Sequence, residues 1–174
     1  MAKRPVLPIE QLSTESQQML DVLNNDSDLE AVLVATSFLD ACLGSILSRQ
    51  LIDSKVSKKL LEPSGALGNY SARSDVCYAL GLIQKPLYKD LQKIAEIRNE
   101  IAHYHQALSF ESDAIRKLCA ELSYVMSLKN GNTTEPLFNP EFILHPRNRF
   151  VITTVMINQR LLIIGLELNN SRKA

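Results

Sequence analysis

The sequence predicts an all-α fold: one helical bundle of about six to eight helices. Apolar residues recur at three- and four-residue spacing along most of the chain, the period of a helix with one buried face. Capping residues, prolines and glycines interrupt that period at intervals suited to helices of two to six turns. The 174 residues, 45% hydrophobic and 22% charged, suffice for one core and define a single domain, 1–174.

Residues 1–8 form a frayed lead with Pro5 and Pro8. A short helix is expected over about Glu10 to Leu23, ended by Asn24-Asn25-Asp26. Ser27-Asp28-Leu29-Glu30 has the capping-box pattern, a Ser oxygen accepting from the third amide and a Glu reaching back. A long helix follows to about Leu51. One of its stripes is Leu29, Leu33, Leu43 and Leu47, with Thr36 and Asp40 between them. A second is Ala31, Ala35, Phe38 and Cys42. Apolar on two sides, this helix belongs at the centre of the bundle.

A short helix is expected over Ser54 to Leu61, then a Pro- and Gly-containing loop, Glu62 to Asn69. Ser71 can cap a helix running to Ile83, with Val76, Cys77, Leu80 and Ile83 inward. Pro86 suits the first turn of the next helix, whose face carries Leu87, Leu91, Ile94, Arg98, Ile101 and His105. Ser112 opens a further helix presenting Ile115, Leu118, Cys119, Leu122, Val125 and Met126. Residues 129–148, with Gly131, Pro136, Pro140 and Pro146, form an irregular connector with room for a short helix near Glu141. The last element, 149–168, is rich in β-branched residues, so a strand competes with a helix. Its length and the spacing of Val151, Val155, Leu162 and Leu166 favour the helix.

Composition narrows the function classes. Nineteen basic and nineteen acidic residues give zero formal net charge, whereas duplex binders normally carry a basic excess. No helix-turn-helix with a basic recognition helix is evident. Cys42, Cys77 and Cys119 lie on apolar stretches, lack CxxC spacing, and read as reduced core residues of a cytoplasmic protein. No metal or cofactor is expected. No secretory leader is recognisable, and Arg160 and the Asn158-Gln159 pair interrupt the most lipid-like run, Phe150 to Leu168, which reads as a core helix.

Charges on apolar faces mark candidate sites. Asp40 and Arg98 fall within hydrophobic stripes, and buried charges require partners. They are expected to pair with each other, either as a structural ion pair or as part of a site. In Arg98-Asn99-Glu100-Ile101-Ala102-His103-Tyr104-His105, an Arg fork for a phosphate stands near an imidazole able to move protons. Those are parts a metal-independent ribonuclease needs. His103 at a helix end is equally read as a cap on the last carbonyls. Arg73 and Asp75 open a helix after the glycine loop, where local pairing and capping compete with anion binding.

Two family resemblances emerge from these runs. Leu60-Leu61, Gly65-Ala66-Leu67-Gly68, Ser71-Ala72-Arg73 and Tyr78-Ala79-Leu80-Gly81-Leu82-Ile83 resemble the mannitol operon repressor family of bacterial regulators. The resemblance continues through Asp90-Leu91 and Arg98 to His103, covering roughly residues 28 to 125. It implies an all-helical cytoplasmic repressor without a DNA-reading motif, acting through other regulatory proteins. The Arg98 to His103 run is also similar to the Arg-x4-6-His motif of HEPN helical domains, many of them ribonucleases. That similarity implies Arg98 and His103 as catalytic pair and Asn99 as the polar neighbour, with His105 within the same spacing window. HEPN enzymes often build their site across a dimer, so a homodimer and an RNA substrate go with this alternative. The first reading, a non-enzymatic regulator, is favoured.

Overall fold

The computed structural model describes residues 6–25, 27–103, 109–129, 135 and 137–171. Among them the regular elements are helices: α1 (Ile9–Asn25), α2 (Asp28–Gln50), α3 (Lys55–Leu61), α4 (Tyr70–Ala79), α5 (Lys85–His103), α6 (Asp113–Glu121), α7 (Tyr124–Ser127), α8 (Pro140–Leu144) and α9 (Pro146–Ser171). The all-α expectation holds, and the last element is a helix rather than a strand.

The 23-residue α2 is the centre of the bundle and packs against α1, α3, α4, α5 and α9. Its capping box forms as the sequence predicts: Ser27 accepts from the Glu30 amide, and Glu30 accepts from the Ser27 amide. Of the first stripe Thr36, Leu43 and Leu47 are buried and Asp40 is part-buried; of the second Ala31, Ala35 and Cys42 are buried and Phe38 is part-buried; Leu39 and Ile46, outside both, are fully buried as well. Leu29 and Leu33 instead remain exposed, although Ala31 and Val32 in the same turns are fully buried, so the first stripe begins on the solvent side of α2. By length and hydropathy α2 and α9 could each cross a membrane; here these apolar runs supply much of the core.

Helix α9 shows a one-residue rotation from the expected face. Phe150, Thr153, Thr154, Ile157, Asn158, Leu161, Ile164 and Gly165 are buried, together with Leu162 of the expected face, while Val151 and Val155 are part-buried and Leu166 is exposed. The stripe keeps helical spacing but includes two threonines, an asparagine and a glycine, so apolarity alone displaces the seam by one residue. Asn158 Oδ1 accepts from the Cys42 thiol of α2 at 3.3 Å. Gly165 lets α1 approach: a Cβ there would lie 2.6 Å from Ile9 Cγ1.

Two further expectations change. Helix α4 begins at an Asn69 cap rather than Ser71, with Asn69 Oδ1 accepting from the Ala72 amide at 2.9 Å. It stops at Ala79, because Gly81 takes φ +70° and the chain closes with Leu82 N donating to the Cys77 carbonyl. Leu80 is therefore outside, not inside. The run Ile115 to Met126 is two helices rather than one, with Met126 exposed. The cause is Asp90 of α5, 1% exposed. Its carboxylate accepts from the Ser123 amide, the Tyr124 amide and the Ser123 hydroxyl, at 2.7 to 3.2 Å. Arg149 of α9 completes the corner, its Nε donating to the Leu122 carbonyl at 2.9 Å. Residues 129–148 do carry a short helix, α8, where the sequence places one.

The α1–α9 approach is testable. Gly165→Ala should destabilise the fold by about 1–3 kcal/mol through overpacking. In an Ile9→Ala background the same change should cost markedly less, a coupling that denaturant midpoints of the four proteins in a double-mutant cycle would measure. Additive effects would refute the contact.

Candidate functional site

Three buried cysteine thiols offer no reactive group: burial pushes Cys42, Cys77 and Cys119 each up to about 12, so they stay protonated at neutral pH. The chemistry-bearing residues lie instead on α2, α4 and α5.

Asp40 has a buried partner, but it is Arg73 rather than Arg98. Arg73 Nη1 lies 2.8 Å from Asp40 Oδ2. Nε donates to the Leu67 carbonyl at 2.8 Å, Nη2 to the Leu61 carbonyl at 3.3 Å, and Nη1 to the Asp40 carbonyl at 3.3 Å. The guanidinium thus ties the last turn of α3 and the glycine loop to the middle of α2. Gly44 provides the space: a Cβ there would come within 3.2 Å of Nη1. The loop is equally tight, since a Cβ on Gly65 would stand 2.3 Å from the Lys59 and Leu60 carbonyls, and one on Gly68 2.4 Å from that of Glu62. Burial raises the Asp40 carboxyl more than the Arg73 guanidinium lowers it. Tyr70 lies nearby; burial and the Asp40 charge raise its phenol, whose hydroxyl donates to the Leu91 carbonyl. The anion site considered for Arg73 is excluded by this geometry, because every nitrogen of the guanidinium is committed within the chain.

Arg98 is exposed, and its Nη1 donates to Asn99 Oδ1 at 3.1 Å. The expected Asp40–Arg98 pair does not form. The physical reason is the phase of α5: Leu87, Asp90, Leu91, Ile94, Ile97 and Ile101 make the buried stripe, and Ile97 takes the place that the spacing assigns equally well to Arg98. The backbone of His103 closes α5. Its side chain, and all of His105, lie outside what the structure describes. The buried charge on α5 is Asp90, a residue the sequence presents as one more polar position between Lys89 and Leu91.

Asp75 is exposed. Its Oδ1 accepts from the Tyr88 hydroxyl at 2.9 Å and from Gln92 Nε2 at 3.2 Å. Tyr88 stacks on Tyr78 with ring centroids 4.5 Å apart and planes 9° from parallel. Elsewhere, a cleft of about 210 Å³ is lined by Leu23, Asn24, Phe142, Arg147, Asn148, Val151 and Ile152. Arg147 is already engaged there, with the Asp28 carboxylate and the Leu23 carbonyl.

The geometry therefore defines a helical protein with a deeply tied internal arginine, exposed polar and aromatic side chains, and no metal-ligating cluster among the described residues. The family model described as Mannitol repressor matches residues 15–159, and the chain belongs to that family. It is 27% identical over 134 residues to the mannitol operon repressor of Escherichia coli strain K12, spanning 74% of this chain and 69% of that protein. The fold is shared with a chain of the X-ray structure of the MtlR–HPr complex from Escherichia coli: TM-score 0.66, 20% identity, 85% of this chain and 98% of that one. A possible transcriptional regulator, YggD from Shigella flexneri 2a, matches with TM-score 0.63 and 16% identity over 91% of this chain and 99% of that one.

Removing the guanidinium should be costly. Arg73→Ala leaves Asp40 half-buried without its counter-charge and should lower stability by about 3 kcal/mol or more; Arg73→Lys should fail to restore it, since an ammonium cannot span three carbonyls and a carboxylate. The pH dependence follows from the raised Asp40 carboxyl. Its folded form holds a proton more tightly than the unfolded chain does. Its contribution to stability is therefore full below the ordinary aspartate value and is lost as pH rises through the folded value. Urea midpoints between about pH 3.5 and 7 should fall less with rising pH in Asp40→Asn than in the parent.

Proposed function

We propose that the chain is a transcriptional repressor of the mannitol repressor family that acts through a protein partner and not by reading duplex DNA itself. The observation that carries this reading is the family match over residues 15–159. The fold shared with a chain of the MtlR–HPr complex makes HPr the first partner to test. The zero net charge and the absence of a basic recognition helix support an indirect mechanism. We assign it no catalytic role and no cofactor, and place it in the cytoplasm.

A second reading is favoured by one observation. Arg98 is exposed with Asn99 beside it, open to a phosphate, as a HEPN-like ribonuclease using Arg98 and His103 would require. The site could be completed by a second copy of the chain.

Isothermal titration of the purified protein with HPr should give saturable binding, while gel shift with operator duplex at moderate salt should give none beyond non-specific retention. Operator binding by the protein alone, with a large specificity ratio, would overturn the indirect mechanism. Cleavage of single-stranded RNA, lost in both Arg98→Ala and His103→Ala, would replace the first reading with the second.

A further inference from the structure

We propose that Asp75, Tyr78, Tyr88 and Gln92 form a receptor for an arginine side chain presented by a protein partner. The four residues come from two helices, α4 and α5, and are held in register by their own bonds. Tyr88 donates its hydroxyl to Asp75 Oδ1, Gln92 donates to the same oxygen and to Ser74 Oγ, and Tyr88 stacks flat on Tyr78. Those two donors fix the carboxylate through one oxygen. The second oxygen accepts no hydrogen bond among the described residues, and no lysine or arginine among them pairs with Asp75, although Lys85 and Lys89 are exposed on the first turns of α5. Tyr78 has one face covered by Tyr88 and is still 38% exposed.

A fixed, unpaired carboxylate beside a rigid aromatic face suits a guanidinium. The carboxylate supplies a charge-assisted hydrogen bond, and the ring supplies the electron-rich face on which the planar cation lies. A lysine would use the charge but not the plane. Because both rings are already ordered by stacking, little side-chain entropy is lost on binding, a property of interface anchors. Within the run Tyr78 to Ile83, Ile83 is buried and Gly81 serves the turn, but Tyr78 and Leu80 face solvent. The Tyr78 ring is held by Tyr88 rather than by the core, which leaves it available to a partner. The proposal builds on the reading of the chain as a protein-binding regulator, but it does not depend on the partner being HPr.

The test uses the full chain and Nα-acetyl-arginine amide, followed by two-dimensional NMR. Saturable shifts should concentrate at Asp75, Tyr78, Tyr88 and Gln92. Nα-acetyl-citrulline amide, the same shape without charge, should bind at least about threefold more weakly. Asp75→Asn, which keeps the side-chain shape, should weaken the arginine probe by a similar factor with an unchanged thermal midpoint. Equal shifts from arginine and citrulline, an unaffected Asp75→Asn, or shifts spread over other carboxylates would overturn the proposal. A protein that binds arginine at this patch but not HPr would sink the HPr assignment alone; one that binds HPr but not arginine would sink only this receptor.

Discussion

The Arg73 guanidinium holds together parts of the chain that have little else to hold them. Helix α3 has seven residues and the following loop eight, too few to supply a core of their own. Their backbone carbonyls at Leu61 and Leu67 converge on one side chain from α4, and that side chain leans on α2 at Gly44 and Asp40. An arginine suits this position because its planar fork serves several acceptors at once and keeps its charge at any physiological pH. The hydrogen bonds compensate its desolvation, and the remaining cost falls on Asp40, whose carboxyl is raised and whose Oδ1 is buried without a partner among the described residues.

The same division of labour recurs at the other end of the bundle. Asp90 gathers the amides that open α7, Arg149 takes the carbonyl that α6 leaves at Leu122, and Asp28 receives the Phe110 amide together with Arg147. Apolar packing sets which helices meet. These few charges, Asp90 buried and the others part-buried, then help to fix where neighbouring helices stop, because they satisfy backbone groups that would otherwise be left orphaned. Exposed charge follows a different rule: Lys93 with Glu96 and Glu121, or Lys58 with Asp53, are pairs in solvent and add little.

Much of this fold was legible in the residues. The capping box at Ser27 and Glu30, the proline-led start of α5 and the central position of α2 follow from local chemistry that tertiary context did not override. Faces were harder than elements. On α5 both Ile97 and Arg98 satisfy the helical spacing from Ile94, and only packing within the bundle chooses between them. On α9 the buried seam includes hydroxyl and amide groups, so a reading by hydropathy turns the helix by one residue. The partner of Asp40 was out of reach for a related reason: Arg73 lies on a helix whose N-terminus suggested capping, and its contacts are mostly to carbonyls, which every residue has. The aromatic pair needed the third dimension, since Tyr78 and Tyr88 are separated by a helix end, a left-handed glycine and a helix start.

That reliance on carbonyls has a consequence for how the family can diverge. A clamp that grips main chain places almost no demand on the side chains it grips. Leu61 and Leu67 contribute oxygens to Arg73, and any residue would do the same at the same place. What the clamp does require is a fixed contour length between the end of α3 and Arg73, and glycines where carbonyls crowd at 65 and 68. Evolution along this stretch should therefore accept insertions least readily, while side chains outside the core position Leu61 are freer to change. A relative could exchange exposed residues such as Pro63, Ser64 and Ala66 and keep the architecture intact, as long as its loop neither gains nor drops a residue.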